Sequence, residues 1–160
     1  MNKKISDYYN AEMMEIKLSA TEYLEDMKQY DIPVSKSVLN MDYKLIEAGD
    51  LVSIVITIRT YIGGATDMSR VMSVNIINEP VGKQVGISDI FDVNSLNHLI
   101  LQYMSYNKKN YSTFSTGELT LQSVREDQAF YIENNTLYIL FNKYEIAPGA
   151  GEIQTIAIPL

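Results

Sequence analysis

The C-terminal end of the chain constrains its fold most. Ala129-Phe130-Tyr131-Ile132 leads through Glu133-Asn134-Asn135 into Thr136-Leu137-Tyr138-Ile139-Leu140-Phe141. Two apolar runs around an Asn-Asn turn predict a β-hairpin. The next residues include Tyr144, Pro148, Gly149 and Gly151, a rigid Pro-Gly corner. A final strand over 153–158 follows it.

Size and composition fit one globular domain able to bury a core without staples: 160 residues, 46% hydrophobic and 21% charged. The net charge of -7 argues against nucleic acid, whose phosphates require clustered Lys and Arg. Lys108-Lys109, among asparagines, reads as a solvated loop. With no cysteine there are no disulfides, thiolate catalysis or Cys-based zinc sites, and the compartment stays open. Met1-Asn2-Lys3-Lys4 has the basic start of a signal peptide, but Asp7, Glu12 and Glu15 interrupt the apolar core that should follow. No run reaches the length that spans a bilayer, so membrane attachment is expected only through a segment absent from this chain.

Toward the N-terminus, Ile5, Tyr9, Met13, Ile16, Ala20, Tyr23 and Met27 recur at three- and four-residue steps. That spacing predicts a helix over about residues 4–30 with these side chains on its packing face. Ile32-Pro33 ends it, because the residue before proline avoids the helical region. Leu39, Met41, Tyr43 and Leu45 then alternate with polar residues as an inward-facing strand, and Glu47-Ala48-Gly49-Asp50 makes a turn. Val52, Ile54, Ile56 and Ile58 form the next inward face, and Met72, Val74 and Ile76 a third strand. The predicted fold class is α+β: an antiparallel sheet meander, a long N-terminal helix packed on one face and a second helix beside it. That second helix carries Leu96, Leu99, Ile100 and Tyr103 behind an Asp92 or Asn94 cap. A turn falls over 78–84, a loop over 107–116 and a short helix over 118–125, with Leu121 and Val124 inward. The closing hairpin and last strand either extend the first sheet or form a second.

Chemistry-bearing motifs are sparse. His98 is the only histidine, and no nucleophile elbow or metalloprotease motif surrounds it. Asp89, Asp92, Glu145 and Glu152 lie near loops and are the candidates for a paired-carboxylate glycosidase mechanism, although Asp89 and Asp92 fit helix capping equally well. Asp42, Asp50 and Asp67 lack calcium-loop spacing. Tyrosine is enriched, with 12 tyrosines and no tryptophan, a composition suited to protein and sugar contacts. Tyr61 and Tyr144 stand at the edges of loops containing Gly or Pro, where function concentrates. Candidate ligand-binding residues are therefore Tyr61, Gly63, Gly64, Thr66 and Asp67 on one loop, with Tyr144 and Pro148 on the other. Gly63-Gly64 allows positive φ or close backbone approach, but the loop lacks the Lys-Ser/Thr ending of a phosphate loop, and a structural turn is the first reading of it, a ligand loop the second.

Tyr61-Ile62-Gly63-Gly64-Ala65, then Asn75, Gly82-Lys83-Gln84 and Ser88-Asp89-Ile90-Phe91, resembles the RsiV-like domain of bacterial extracytoplasmic proteins. The close, Asn135-Thr136-Leu137 to Phe141 and then Tyr144-Glu145-Ile146-Ala147-Pro148 and Gly151, is similar to that family's closing motif. Thr66 stands where the family often has histidine, so no role of that histidine carries over. The family commonly has a strand before its first helix, whereas this chain starts with the helix and reads as one trimmed or short RsiV-like domain over 1–160. Relatives of this kind include ectodomains of lysozyme-sensing anti-sigma factors and accessory domains of cell-wall polysaccharide deacetylases. The resemblance implies an extracytoplasmic, non-catalytic binding or sensing module without a cofactor, its ligand a protein such as lysozyme or a cell-wall glycan. A glycan-active enzyme using paired carboxylates and a structural spacer are the alternatives.

Overall fold

The computed structural model describes residues 2–63, 68–106, 123–143, 145–146 and 153–160. Within these it is α+β, with three helices and two antiparallel sheets. Helix α1 runs Asn2–Gln29, followed by β1 (Val38–Ala48), β2 (Leu51–Tyr61), β3 (Met68–Ile77) and β4 (Lys83–Val85). Two helices, α2 (Ile87–Ile90) and α3 (Val93–Tyr106), precede β5 (Ala129–Glu133), β6 (Thr136–Phe141) and β7 (Gln154–Pro159). The sheets have strand order β1-β2-β3-β4 and β5-β6-β7, so the closing hairpin founds a sheet of its own. The chain divides into two compact units, Met1–Asp42 with Ile58–Ser69, and Tyr43–Thr57 with Arg70–Leu160.

In the first unit, α1 ends where the proline demanded, through a specific backbone device. The Ile32 amide donates to Met27 O at 3.0 Å and the Asp31 amide to Lys28 O at 3.3 Å, with Asp31 at φ 53°. This is the paired 6→1 and 5→2 pattern of a Schellman cap, closed by Asp instead of the usual glycine. Asp31→Gly removes the steric cost of the left-handed conformation and should stabilise the helix end by about 0.5–1 kcal/mol. A rise in the thermal midpoint is the measurement that checks it. The predicted stripe is real but shallow. Ile5, Met13, Ile16, Ala20, Tyr23 and Met27 are half-buried, Tyr9 is exposed, and among the described side chains of the helix the one buried is Glu12.

The second unit holds the main core. Leu96, Ile100 and Met104 of α3 pack with Phe130, Leu137, Ile139, Phe141, Ile156 and Ile158 of β5–β7. Leu99, three residues from Leu96, points outward instead. Asp92, not Asn94, caps α3, accepting the Ser95 amide at 2.8 Å, and that bond holds its carboxyl below the ordinary carboxylate range. Asn97 reaches from α3 to Ser123 Oγ (3.0 Å) and accepts the Val124 amide (2.9 Å). The hairpin is as tight as its sequence promised. Asn134 and Asn135 both take positive φ, 51° and 56°, and Glu133 faces Thr136 across the turn. A smaller cluster, Ile46, Val55 and Val71 with Ala129 and Leu140, joins facing sides of the two sheets. Polar latches reinforce it: Asn142 Oδ1 accepts the Val71 amide at 2.7 Å, and Ser73 Oγ accepts the Phe130 amide at 2.9 Å.

Four expectations change. On β1 it is Ile46 that is buried, clustered with Val55, Val71, Ala129 and Leu140, while Tyr43 and Leu45 on the opposite face are exposed, so the predicted alternation describes a solvated face. On β2 both faces contribute to the interior: Ile56 and Ile58 on the predicted one, Leu51, Ser53 and Val55 on the other. Residues 83–85 of the predicted turn form β4, paired to β3, although the bend itself is a turn in which the Gly82 amide donates to Glu79 O. The end of the predicted helix over 118–125, Ser123 to Arg125, is irregular, held by Asn97 rather than by helical bonds. The rest of that segment and the loop over 107–116 lie outside the described residues.

Candidate binding surfaces

The first surface starts at the end of β2. Tyr61 is half-buried there, and its hydroxyl shares a hydrogen bond with Ser35 Oγ at 3.2 Å. Ser37 Oγ donates to the next carbonyl, Ile62 O, at 2.9 Å. Gly63 follows at φ 126°, and a Cβ on it would overlap the ring of Tyr23. The glycine is therefore required twice, by its backbone angle and by the ring of α1 pressed against its Cα. The Ser35, Ser37 and Tyr23 contacts were invisible in the sequence, since nothing local ties a serine before β1 to a tyrosine at the end of β2. Gly64, Thr66 and Asp67 lie outside the described residues, as do Tyr144, Pro148 and Glu152. The first unit also carries an open apolar groove lined by Ile5, Ser6, Tyr9 and Met41.

The remaining carboxylates named as catalytic candidates are all engaged. Asp89 Oδ2 accepts the Gly86 amide at 2.7 Å at the start of α2. Asp92 caps α3 as described above. Glu145 Oε2 accepts the Asn142 amide at 2.7 Å, and its other oxygen pairs with Arg125, which also binds Asp127 at 2.9 Å. His98 is exposed on α3. No group of three metal-binding side chains exists among the described residues, and none of their helices is long and apolar enough to cross a membrane.

A second surface, in the second unit, was not anticipated. Tyr131 of β5 and Tyr138 of β6 are register partners whose rings stack at 4.6 Å between centroids and 8° between planes. Lys44 Nζ sits 5.1 Å from the centre of the Tyr131 ring and contacts both oxygens of Glu133 at 3.1 Å. The hydrogen bond to Glu133 raises the Lys44 pKa, and burial raises that of the Tyr131 phenol. Lysine charge is thus retained to a higher pH than usual, and the small stabilisation it gives is present at neutral pH and lost as pH rises through the raised value. The sequence signal for this cluster was the Tyr-x-Glu-Asn-Asn-Thr-x-Tyr spacing, which a two-residue turn converts into a cross-strand pair.

Comparison with known proteins adds a family match over part of the chain and a likeness of fold. Residues 88–160 match a family described as a protein of unknown function, DUF3298. The matched span contains the Ser88–Phe91 segment and the closing hairpin; the Tyr61 loop lies outside it. No curated protein matches the chain. The crystal structure of a DUF3298 member from Bacteroides fragilis superposes with a TM-score of 0.68 at 20% identity, covering 99% of this chain and 66% of that one. At that identity the likeness shows the fold. The chain spans just under two thirds of its neighbour's length.

Proposed function

We propose that this chain is a non-catalytic binding or sensing module of a bacterial cell-envelope protein, outside the cytoplasm, with a protein such as lysozyme or a cell-wall glycan as ligand. The motif resemblance to RsiV-like domains supports the setting. The observation that carries the binding role is the anchoring of Tyr61. Ser35 and Ser37 fix its hydroxyl and the following carbonyl, so a large amphipathic side chain is ordered before any ligand arrives. Pre-ordering removes entropy that binding would otherwise cost. The commitment of Asp89, Asp92 and Glu145 to backbone amides supports the non-catalytic part, because a general acid or nucleophile must be free to meet its substrate.

The test is direct. Wild-type protein should bind immobilised lysozyme or soluble peptidoglycan fragments, and Tyr61→Ala should weaken that binding about tenfold or more, as for an aromatic anchor. The thermal midpoint should fall little, since the lost hydroxyl contact is exposed. Binding unchanged by Tyr61→Ala would remove the loop from the contact surface, and absence of binding to both probes would favour a spacer.

A further inference from the structure

The stacked tyrosine pair has an open end. Along the row Tyr131–Tyr138–Ala157, successive residues are register partners across β5, β6 and β7. One outer face of the stack is occupied by Lys44, at 5.1 Å from the Tyr131 centroid. The other looks toward Ala157, whose single methyl cannot cover an aromatic ring, and β7 is the last strand of its sheet among the described residues. Tyr138 is half-buried and Thr155, next along β7 on the same face, is exposed. Neither phenol hydroxyl meets a hydrogen-bond partner among the described residues. A rigid ring wall, a small-residue floor and unengaged hydroxyls therefore lie together.

We propose that the Tyr138–Ala157 face of the second sheet binds a neutral polysaccharide, one pyranose ring stacking its C–H face on Tyr138 while its hydroxyls meet the tyrosine and Thr155 hydroxyls. The inference rests on the binding-module reading and selects the glycan within it. A flat ring edged by hydroxyls suits a sugar, which is apolar on its ring face and polar at its rim. A protein contact would instead favour a contiguous apolar centre that excludes water, whereas along β7 this face presents exposed Thr155 and Pro159 with half-buried Ala157 between them. Charge narrows the class further. Among the described residues of this face, Lys44 is already neutralised by Glu133, and the chain carries -7 overall, so a polyanionic glycan would meet net repulsion.

The experiment is calorimetric titration of the whole chain with chitohexaose as the neutral probe and oligogalacturonate as the anionic one. Chitohexaose should bind and oligogalacturonate should not. Tyr138→Leu, which keeps apolar volume and loses the flat ring, should weaken chitohexaose about tenfold or more, whereas Tyr138→Phe should stay within about threefold. Ala157→Leu, which covers the ring and leaves the stacked pair intact, should match Tyr138→Leu. Circular dichroism melts identify any variant that fails to fold; Ala157→Leu then decides for Tyr138→Leu, or the reverse. Equal chitohexaose affinity in the folded variants, or tighter binding of oligogalacturonate, overturns the proposal. Wild type that captures lysozyme and ignores chitohexaose overturns it while leaving the binding module standing; wild type that binds none of the probes removes both.

Discussion

Phe141→Ala should destabilise the protein by about 3–5 kcal/mol, the largest effect expected of any single truncation here. Phe141 is 0% exposed at the end of β6 and belongs to the cluster with Leu96, Ile100 and Met104 of α3. Two terms add. The ring's transfer free energy is lost, and the space it leaves is walled by a hydrogen-bonded sheet on one side and α3 on the other, so collapse around it is limited. The strand cannot slide to compensate, because β6 is paired on both edges, to β5 and to β7. In urea, with a slope of roughly 2 kcal/mol per molar, the midpoint should fall by about 1.5–2.5 M. Phe141→Leu keeps most of the volume and should cost less than half as much. Equal losses from the two variants would mean that ring shape, not volume, governs this part of the core. A midpoint unchanged by Phe141→Ala would mean that β6 is not packed as described.

What the sequence disclosed and what it hid follow one physical line. Features set by local backbone chemistry were legible: the Asn134-Asn135 turn, the helix stop before Pro33, the Asp92 cap and the Gly82 bend are each decided within a few residues. Alternation located β1, β2 and β3, but it could not say which face of β1 met the interior. Met41, Tyr43 and Leu45 form as regular an apolar row as Val52, Ile54, Ile56 and Ile58, yet it is the opposite face of β1 that meets a packed cluster, through Ile46, which leaves Tyr43 and Leu45 in water. Long-range pairings were illegible for the same reason. Nothing near Lys44 announces Glu133, and nothing near Tyr61 announces Ser35. At the candidate surfaces the loop tyrosine was found by its glycines. The stacked pair was missed because the sequence places Tyr131 and Tyr138 only as members of two hairpin strands, and the consequence of Ala157 beside them needed the register of β7.

Gly63→Ala should cost about 3 kcal/mol, an unusual loss for one methyl group at a half-exposed loop position. The backbone term comes first. At φ 126° an L-residue sits outside its allowed regions, and such conformations cost of order 1–3 kcal/mol. Packing adds to it, since the new methyl would occupy the space of the Tyr23 ring, and that ring belongs to the half-buried face of α1. Either the ring swings out and the helix loses a contact, or the loop shifts and strains the Ser37–Ile62 hydrogen bond. The two terms can be separated. In Tyr23→Ala the space next to Gly63 is vacated, so adding Gly63→Ala should cost only the backbone share, and the double variant should be more stable than the sum of the singles by about 1 kcal/mol. Strict additivity of the two substitutions would show that the Tyr23 ring does not hold the loop, and the rigid presentation of Tyr61 would then rest on Ser35 and Ser37 alone.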